Sequence, residues 1–346
     1  MYGCYLRYGG ARRLSATIGM IICLLFAALV VCSGCDRPVE GRIVSQRDGL
    51  IVAEVISTGV GSNMIGEEPA RLLGIYLPPG YPDGKNGYPV LYYLHGFGES
   101  SLALARYCHA LDEYFTQHPD DAFIVVGIDG RCSLGGSFWR NSPVTGAWED
   151  FAAVEVPRFI EENFKLRASP THRGIAGFSM GGNAALHLSF EHPDKYRAVF
   201  ATAPSVAPLR DPRRFLEFGS DRRRQSILAS MAFETVLIDE SLDREELENP
   251  RLDAATVELA RSRCGAVEVA ECIRKMGPES WESMDLHIEC GSLNPEWLRD
   301  ATRDVANILD RAGIEHEFTE FDGGHSLSGK RFGTVLIPFF ATAFRS

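Results

Sequence analysis

Residues 173–190 read RGIAGFSMGGNAALHLSF, and they indicate the fold more clearly than any other segment. Its first six residues form a short apolar run of strand type, and residues 184–190 have the character of a helix. Between them, residues 177–181 match the pattern G-x-S-x-G. In that context the pattern places a serine on a tight strand-to-helix turn, with its hydroxyl group exposed beyond the strand. Ser179 is therefore a candidate nucleophile.

Strand-type and helical runs alternate along the rest of the chain. The predicted strands are 88–94, 123–129, 173–178, 198–203, 286–290 and 316–321. The predicted helices are 101–115, 149–164, 184–190, 297–312 and 331–344. Nearly continuous apolar strands that alternate with helices indicate an α/β fold, with a mostly parallel central sheet and helices on both faces.

A segment of about eighty residues interrupts this alternation, which is far longer than a typical connection. We predict that residues 206–283 form a helical, lid-like insertion. Six arginines lie in its first part: Arg210, Arg213, Arg214, Arg222, Arg223 and Arg224. We interpret them as a solvated helical face, with a binding site for an anionic substrate as the alternative.

The N-terminus has the features of an export signal. Three arginines precede the apolar run at 18–31, which is short for a membrane-spanning helix and ends in CSGC. This ending resembles the lipobox of bacterial lipoproteins, although Cys32 stands where leucine is usual, and it makes Cys35 a candidate for lipidation. The alternative is an uncleaved anchor. We predict a signal peptide at 1–34, a polar tether at 35–50, and a folded domain at 51–346 that is anchored to a membrane in the bacterial periplasm or at the cell surface.

The composition limits the classes of partner and cofactor. The net charge is −11 at pH 7, which argues against nucleic acid and against an anionic membrane surface as partners. Among the nine cysteines, Cys264 and Cys272 could close a short disulfide loop, and the alternative is that they are buried apolar residues. The cysteine and histidine spacings do not suggest a zinc site.

A nucleophilic serine requires a base and two oxyanion donors. His325 follows the last predicted strand in the loop Phe321-Asp322-Gly323-Gly324-His325, and it is the candidate base. Met180 N–H, directly after the nucleophile, is the first candidate donor to the oxyanion. Phe97 N–H, in the loop that closes the strand at 88–94, is the second.

Four stretches together resemble the putative-esterase family of α/β-hydrolases, which includes esterase D, feruloyl esterases and mycolyltransferases. These stretches are YLPPGYPDGKNGYPVLYYLHGFGES, DGRCSLGGSFWRNSPVTGAWEDF, GIAGFSMGGNAALHLSFEHPDKYRAVFATAPS and FDGGHS. The resemblance spans roughly residues 50–345 and implies an α/β-hydrolase fold. It also implies a Ser-His-acid mechanism without a metal or an organic cofactor, with Ser179, His325 and the Phe97 and Met180 amides in their roles.

The acid is where the sequence departs from the family. The position three residues after Gly291, where the family most often has aspartate, holds Asn294. Glutamate is an accepted triad acid in this fold, so Glu296 is our candidate. The alternatives are that Asn294 orients a weakened His325, or that Asn294, Pro295 and Glu296 are only the start of a helix, as N-cap, first residue and first-turn acid.

Aromatic residues are frequent in the loops predicted near the site. They are Phe97, Phe138, Trp139, Trp148 and Trp297. Core packing is the better interpretation for most of them. We expect Trp139 to contact substrate, because it lies in a glycine-flanked loop beyond a strand's carboxyl end.

The sequence thus predicts a serine hydrolase that acts on a small-molecule or glycan carboxylic ester. Acyl transfer to a sugar or alcohol is the alternative within the same chemistry. A non-catalytic binding lipoprotein on a hydrolase scaffold is the alternative from a different class, and Asn294 is the residue that suggests it.

Overall fold

A nine-stranded sheet forms the centre of the fold in the computed structural model, which describes residues 39–47, 49–83, 87–167, 169–204, 272–273 and 283–345. The strands of this sheet are β1 (Gly41–Arg47), β2 (Leu50–Ile56), β3 (Ala70–Tyr76), β4 (Val90–Leu94), β5 (Ile124–Ile128), β8 (Arg173–Phe178), β9 (Ala198–Thr202), β10 (Asp285–Gly291) and β11 (Glu317–Phe321). A separate short hairpin consists of β6 (Asn141–Ser142) and β7 (Gly146–Ala147).

The strand order is β1-β2-β3-β5-β4-β8-β9-β10-β11. The first three strands and the β3–β5 pair are antiparallel, and all pairs from β5 to β11 are parallel. The central strands β4, β5 and β9 are buried along their whole length, as expected for a sheet that helices cover on both faces.

The helices that matter here follow the strands. They are α1 (Thr58–Gly61), α2 (Cys108–Gln117), α3 (Val156–Asn163), α4 (Met180–Glu191), α5 (Glu296–Ala312), α6 (Gly329–Arg331) and α7 (Ile337–Ala343). Helix α5 buries a stripe that includes Leu298, Val305 and Leu309, and it ends at Gly313, whose φ of 70° is the left-handed conformation common after a helix.

The register of the parallel strands brings their carboxyl ends together at one edge of the sheet. Leu94 pairs with Gly177, and Gly177 pairs with Ala201. Glu289 pairs with Thr202 and Gly291 with Phe321. The loops that follow β4, β8, β10 and β11 therefore meet at this edge, where α/β sheets bind their ligands.

The predicted fold class is confirmed, and each predicted strand and helix outside the insertion overlaps an observed one. The predicted tether is wrong in part, because Gly41–Arg47 forms β1 and pairs with β2 in the sheet. It is the edge strand of the sheet and keeps most of its side chains exposed, which is why it looks like a polar linker in sequence.

Other predictions fall on residues that the structure does not describe. The signal peptide and Cys35 lie outside the described residues, and so does the 206–283 insertion apart from residues 272, 273 and 283. Cys264 also lies outside them. Within the described part of the chain, no helix is long and apolar enough to span a bilayer.

Candidate active site

Ser179 lies on the turn between β8 and α4 with a strained backbone. Its φ of 56° and ψ of −112° are rare for a residue with a side chain. Its own N–H donates to Thr202 O at 2.9 Å, which fixes the turn to the end of β9. Ser179 immediately precedes α4, so any charge that develops near its Oγ lies close to the positive end of the helix dipole.

The two glycines of the motif allow this turn to pack closely. A Cβ at Gly177 would overlap the carbonyl oxygen of Gly181, and a Cβ at Gly181 would overlap the carbonyl oxygen of Leu94. The start of α4 therefore lies directly against the end of β4. The motif requires glycine at both positions for steric reasons.

His325 comes to Ser179 from the loop after β11. Its Nε2 is 2.9 Å from Ser179 Oγ, which is hydrogen-bond distance for a base and its nucleophile. Its ring packs against Phe178, with ring centroids 4.8 Å apart. Although part of the residue is exposed, the surrounding protein desolvates the imidazolium and lowers the pKa of His325 below 6.5. The neutral, basic form is therefore favoured.

Asn294 is the third residue of this constellation. Its Oδ1 is 2.8 Å from His325 Nδ1, and the residue is buried. Its Nδ2 donates to Gly291 O at 3.0 Å and to Gly324 O at 3.4 Å. Because both carbonyls can only accept, the NH2 group must face them and Oδ1 must face the histidine. His325 then carries its proton on Nδ1 and presents the lone pair of Nε2 to Ser179.

Glu296 does not occupy the position that we predicted for it. It is the first residue of α5 and is exposed, whereas Nδ1 of His325 is already bound by Asn294. The backbone of Pro295 (φ −50°, ψ 141°) turns the chain outward between the two residues. The helix-start interpretation is also incorrect for Asn294, since Pro295 is the N-cap and the Asn294 amide does not cap the helix.

The side chains of the two proposed oxyanion-donor residues, Phe97 and Met180, both lie next to Gly136. The Met180 sulfur and the Phe97 ring would both contact a Cβ at this glycine, so the two residues approach each other across it. The amides beside Phe97 are committed to other partners: Gly96 N–H donates to Glu99 at 2.9 Å, and Gly98 N–H donates to Gly135 O at 3.1 Å. These bonds hold the loop in a fixed conformation around the Phe97 amide.

His95 also holds the loop after β4 in place, through hydrogen bonds of both its ring nitrogens. Its Nε2 accepts from Gly130 N–H at 2.9 Å, so its Nδ1 carries the proton and donates to Gly96 O at 2.8 Å. The fully buried His95 thereby links the end of β4 to the end of β5. This role could not be read from the sequence.

Trp139 is completely buried, which contradicts the predicted substrate contact. Its ring lies edge-on to His95, with centroids 5.0 Å apart, and against Gly130, where a Cβ would overlap it. The glycine that flanks the loop makes room for the indole within the core. Trp139 is therefore a core residue that packs against His95, the residue that holds the loop after β4.

The sequence also did not indicate the role of Glu289, which is fully buried at the end of β10. Thr202 Oγ1 donates to its Oε1 at 2.9 Å, and Arg331 donates to its Oε2 through Nε at 2.7 Å and through Nη2. Burial opposes ionisation, but the nearby His287 imidazole, 3.5 Å away, and the hydrogen bonds from Arg331 and Thr202 outweigh it and lower the pKa of Glu289. The carboxylate thus links Thr202, in β9, to Arg331, in α6, the short helix that follows the loop of His325.

Comparison with known proteins points to one family. The chain is 27% identical over 278 residues to a protein of Mycobacterium tuberculosis named an esterase, covering 76% of this chain and 54% of the relative. It is 30% identical over 151 residues to mouse S-formylglutathione hydrolase, covering 39% and 52% of the two chains. The chain thus spans about half the length of the curated relatives that it matches.

Solved structures share the fold at low identity. A ferulic acid esterase superposes with a TM-score of 0.58 at 20% identity, covering 88% of this chain and 99% of that one. An S-formylglutathione hydrolase from Agrobacterium tumefaciens gives 0.55 at 18%, covering 88% and 98%. The family model described as Putative esterase matches residues 62–341, most of the chain. The chain therefore belongs to the Putative esterase family, an α/β-hydrolase family in fold.

Proposed function

We propose that the protein is a serine hydrolase that cleaves carboxylic esters through an acyl-enzyme at Ser179. One observation carries the proposal. Ser179 Oγ, on a strained turn at the start of α4, is 2.9 Å from Nε2 of a histidine whose Nδ1 is bound by Asn294. A nucleophile, a base and an orienting group in this order form the arrangement that covalent acyl transfer requires.

The chemistry follows from these contacts. Ser179 Oγ attacks the acyl carbon while His325 Nε2 takes the hydroxyl proton, and the Phe97 and Met180 amides stabilise the oxyanion. Collapse of the tetrahedral intermediate breaks the bond to the alkoxide, which takes the proton from His325. A water molecule, deprotonated by the same nitrogen, then attacks the acyl group and releases the carboxylic acid and Ser179.

Asn294 makes this triad weaker than one with an acid, but not inactive. In serine proteases, replacing the triad aspartate by asparagine lowers kcat about 10⁴-fold, partly because the histidine takes the wrong tautomer. Here Gly291 and Gly324 hold the amide so that the tautomer is the productive one. The remaining loss is the missing carboxylate charge beside the imidazolium.

We propose a small-molecule or glycan ester with an apolar acyl group as the substrate. Support comes from the aromatic side chains around the site: Phe178 packs on His325, and Phe97 lies 6.2 Å from Phe138 between ring centroids. An ester panel with acetyl, feruloyl and long acyl groups would rank the acyl preference, and product analysis with added alcohols would reveal acyl transfer.

A fluorophosphonate probe tests the enzyme proposal directly. The wild-type protein is expected to become labelled on Ser179, and Ser179→Ala is expected to remain unlabelled. The presence of Asn294 in place of an acid favours one rival, a non-catalytic binding protein on the same scaffold. Absence of labelling in folded wild type, or equal labelling of Ser179→Ala, would reject the enzyme proposal.

We also propose that the protein is exported and lipidated at Cys35. Support comes from the sequence alone, namely the arginines and apolar run that precede CSGC. Labelled palmitate is expected to be incorporated by the wild-type protein in a bacterial host and to be lost in Cys35→Ala. Incorporation that persists in Cys35→Ala would contradict the assignment of this cysteine.

A further inference from the structure

A second cluster of reactive side chains lies at the far end of α4 from Ser179. His187 and Glu191 are four residues apart on this helix, so they lie on the same face. Cys272, from the long segment between β9 and β10, meets them there, and its thiol donates to Glu191 Oε1 at 2.9 Å. One ligand atom from each of the three residues lies within 4.8 Å of the others.

We propose that His187, Glu191 and Cys272 bind a divalent transition-metal ion, with zinc as the best fit. An imidazole nitrogen, a thiolate sulfur and a carboxylate oxygen are all ligands that Zn²⁺ uses, whereas Mg²⁺ and Ca²⁺ prefer oxygen alone. In a tetrahedral zinc site, ligand atoms are about 3.3–3.8 Å apart. Small side-chain rotations would bring the three atoms to that spacing.

The charge balance also suits a dication. Binding displaces the thiol proton of Cys272 to solvent, so the ion meets one thiolate, one carboxylate and one neutral imidazole. The complex is then neutral, which lowers the cost of placing it where His187 and Cys272 are buried. Glu191 is exposed, so the ion has a route from solvent.

With Nδ1 of His187 as the metal ligand, Glu149 would supply the outer contact that a metal-binding histidine normally has. Its Oε2 is 3.1 Å from His187 Nε2, and its Oε1 is 3.2 Å from His192 Nε2. Metal-binding histidines almost always donate their second ring N–H to a carboxylate, a carbonyl or water, which fixes the ring. Glu149 lies outside the cluster of three, so its contact with His187 is an independent observation.

The metal site is separate from the triad. His187 is eight residues beyond Ser179, about 12 Å along the helix. Bound metal would attach Cys272, and with it the segment between β9 and β10, to the helix that follows the nucleophile. The cysteine and histidine spacings gave no sign of this, because the three ligands come from two distant parts of the sequence and include a glutamate.

Metal binding to the full-length protein tests the proposal. After treatment with a chelator and reloading with Zn²⁺, the wild-type protein should retain one zinc ion per chain, measured by mass spectrometry of the metal. Loading with Co²⁺ should give the thiolate-to-cobalt absorption band, which reports a cysteine ligand. Zinc should also raise Tm, because it binds the folded state selectively.

Three variants and one control locate the site. Glu191→Gln and Cys272→Ser should each weaken zinc binding at least tenfold, and Cys272→Ser should abolish the cobalt band. Glu149→Gln should weaken binding about 10–100-fold. Glu162→Gln, an exposed glutamate of α3, should bind zinc as the wild type does. The proposal would be overturned if the wild-type protein bound no zinc and gave no cobalt band. It would also be overturned if Glu191→Gln and Cys272→Ser bound zinc as tightly as the wild type does.

Discussion

Asn294 presents its side-chain oxygen, and not its nitrogen, to His325, 2.8 Å from Nδ1. The carbonyls of Gly291 and Gly324 fix this orientation, because they accept hydrogen bonds from the amide NH2. This position therefore suits a side-chain amide, which can donate to the two carbonyls and accept from His325 at the same time. An asparagine held in this way keeps the histidine in the tautomer that the reaction needs, and it adds no negative charge.

Substitutions of Asn294 should separate two contributions to catalysis. One is the orientation of the His325 ring, and the other is the negative charge that a triad acid would add beside it. Asn294→Ala removes the group that fixes His325, so kcat for ester hydrolysis should fall on the order of 10²-fold. Asn294→Asp places a carboxylate oxygen opposite two carbonyl oxygens, so the protein should lose about 1–3 kcal/mol of stability. Glu296→Gln is the matched control and should keep kcat within about twofold. Steady-state kinetics and thermal unfolding measure these effects, and a large loss in Glu296→Gln alone would restore the glutamate as the triad acid.

The pH dependence should reflect the lowered pKa of His325. Burial lowers that pKa below 6.5 in the folded protein, and acylation needs the neutral imidazole. The acid limb of the pH profile of kcat/KM should therefore have its midpoint below pH 6.5, with activity lost as the pH falls through it. Asn294→Asp should move this midpoint upward, because a carboxylate stabilises the imidazolium. A wild-type midpoint above pH 6.5 would contradict the assignment of an uncharged third residue.

Substitution of Gly181 tests how closely the turn at Ser179 packs against the end of β4. A Cβ at this position would overlap the Leu94 carbonyl, so Gly181→Ala should lower kcat/KM on the order of 10²-fold or more, through displacement of Ser179 or of the loop after β4. Gly329→Ala is the control, since its Cβ would meet only Arg106 O at 4.0 Å. Its kinetics and Tm should match the wild type. Normal turnover in Gly181→Ala would show that the turn is not packed in this way.

Glu289 should contribute to stability through its buried pair with Arg331. Glu289→Gln leaves Arg331 without its buried partner, which typically costs 3–5 kcal/mol. Because the folded pKa of Glu289 is lowered, this stabilisation is present above pH 4.5 and is lost as the pH falls through the folded value. Denaturant unfolding of Glu289→Gln measures the loss. Glu320→Gln, which breaks an exposed pair with Arg303, should change stability by less than about 1 kcal/mol, and equal losses in both variants would contradict the buried-pair assignment.

The sequence predicted those parts of the fold that depend on local pattern. Short apolar runs in the sequence correspond to strands β4, β5, β8 and β9. The G-x-S-x-G motif predicts the turn at Ser179, because only glycine fits at Gly177 and Gly181. His325 was predictable because it follows the last strand in a glycine-rich loop. Phe97 and Met180 follow from the same motif logic, and their role as oxyanion donors stays a prediction.

The third member of the triad depends on the direction of side chains in one loop, which the sequence does not specify. Asn294 and Glu296 are two residues apart, and the backbone of Pro295 decides which of them faces inward. The position three residues after Gly291 was the available signal, and it pointed to Asn294. Trp139 was misassigned for a similar reason, because a glycine-flanked loop gives no indication of whether its indole points to solvent or to the core.

Trapping of an acyl-enzyme at Ser179 is the most direct test of the proposed mechanism. The protein should be mixed with a p-nitrophenyl ester, quenched within one turnover and analysed by mass spectrometry of the peptide that contains Ser179. We expect an adduct with the mass of the acyl group on that serine in wild type, and in Ser179→Ala no adduct together with a loss of turnover of about 10⁴-fold or more. Unchanged turnover in folded Ser179→Ala, or an adduct on another residue, would contradict the claim.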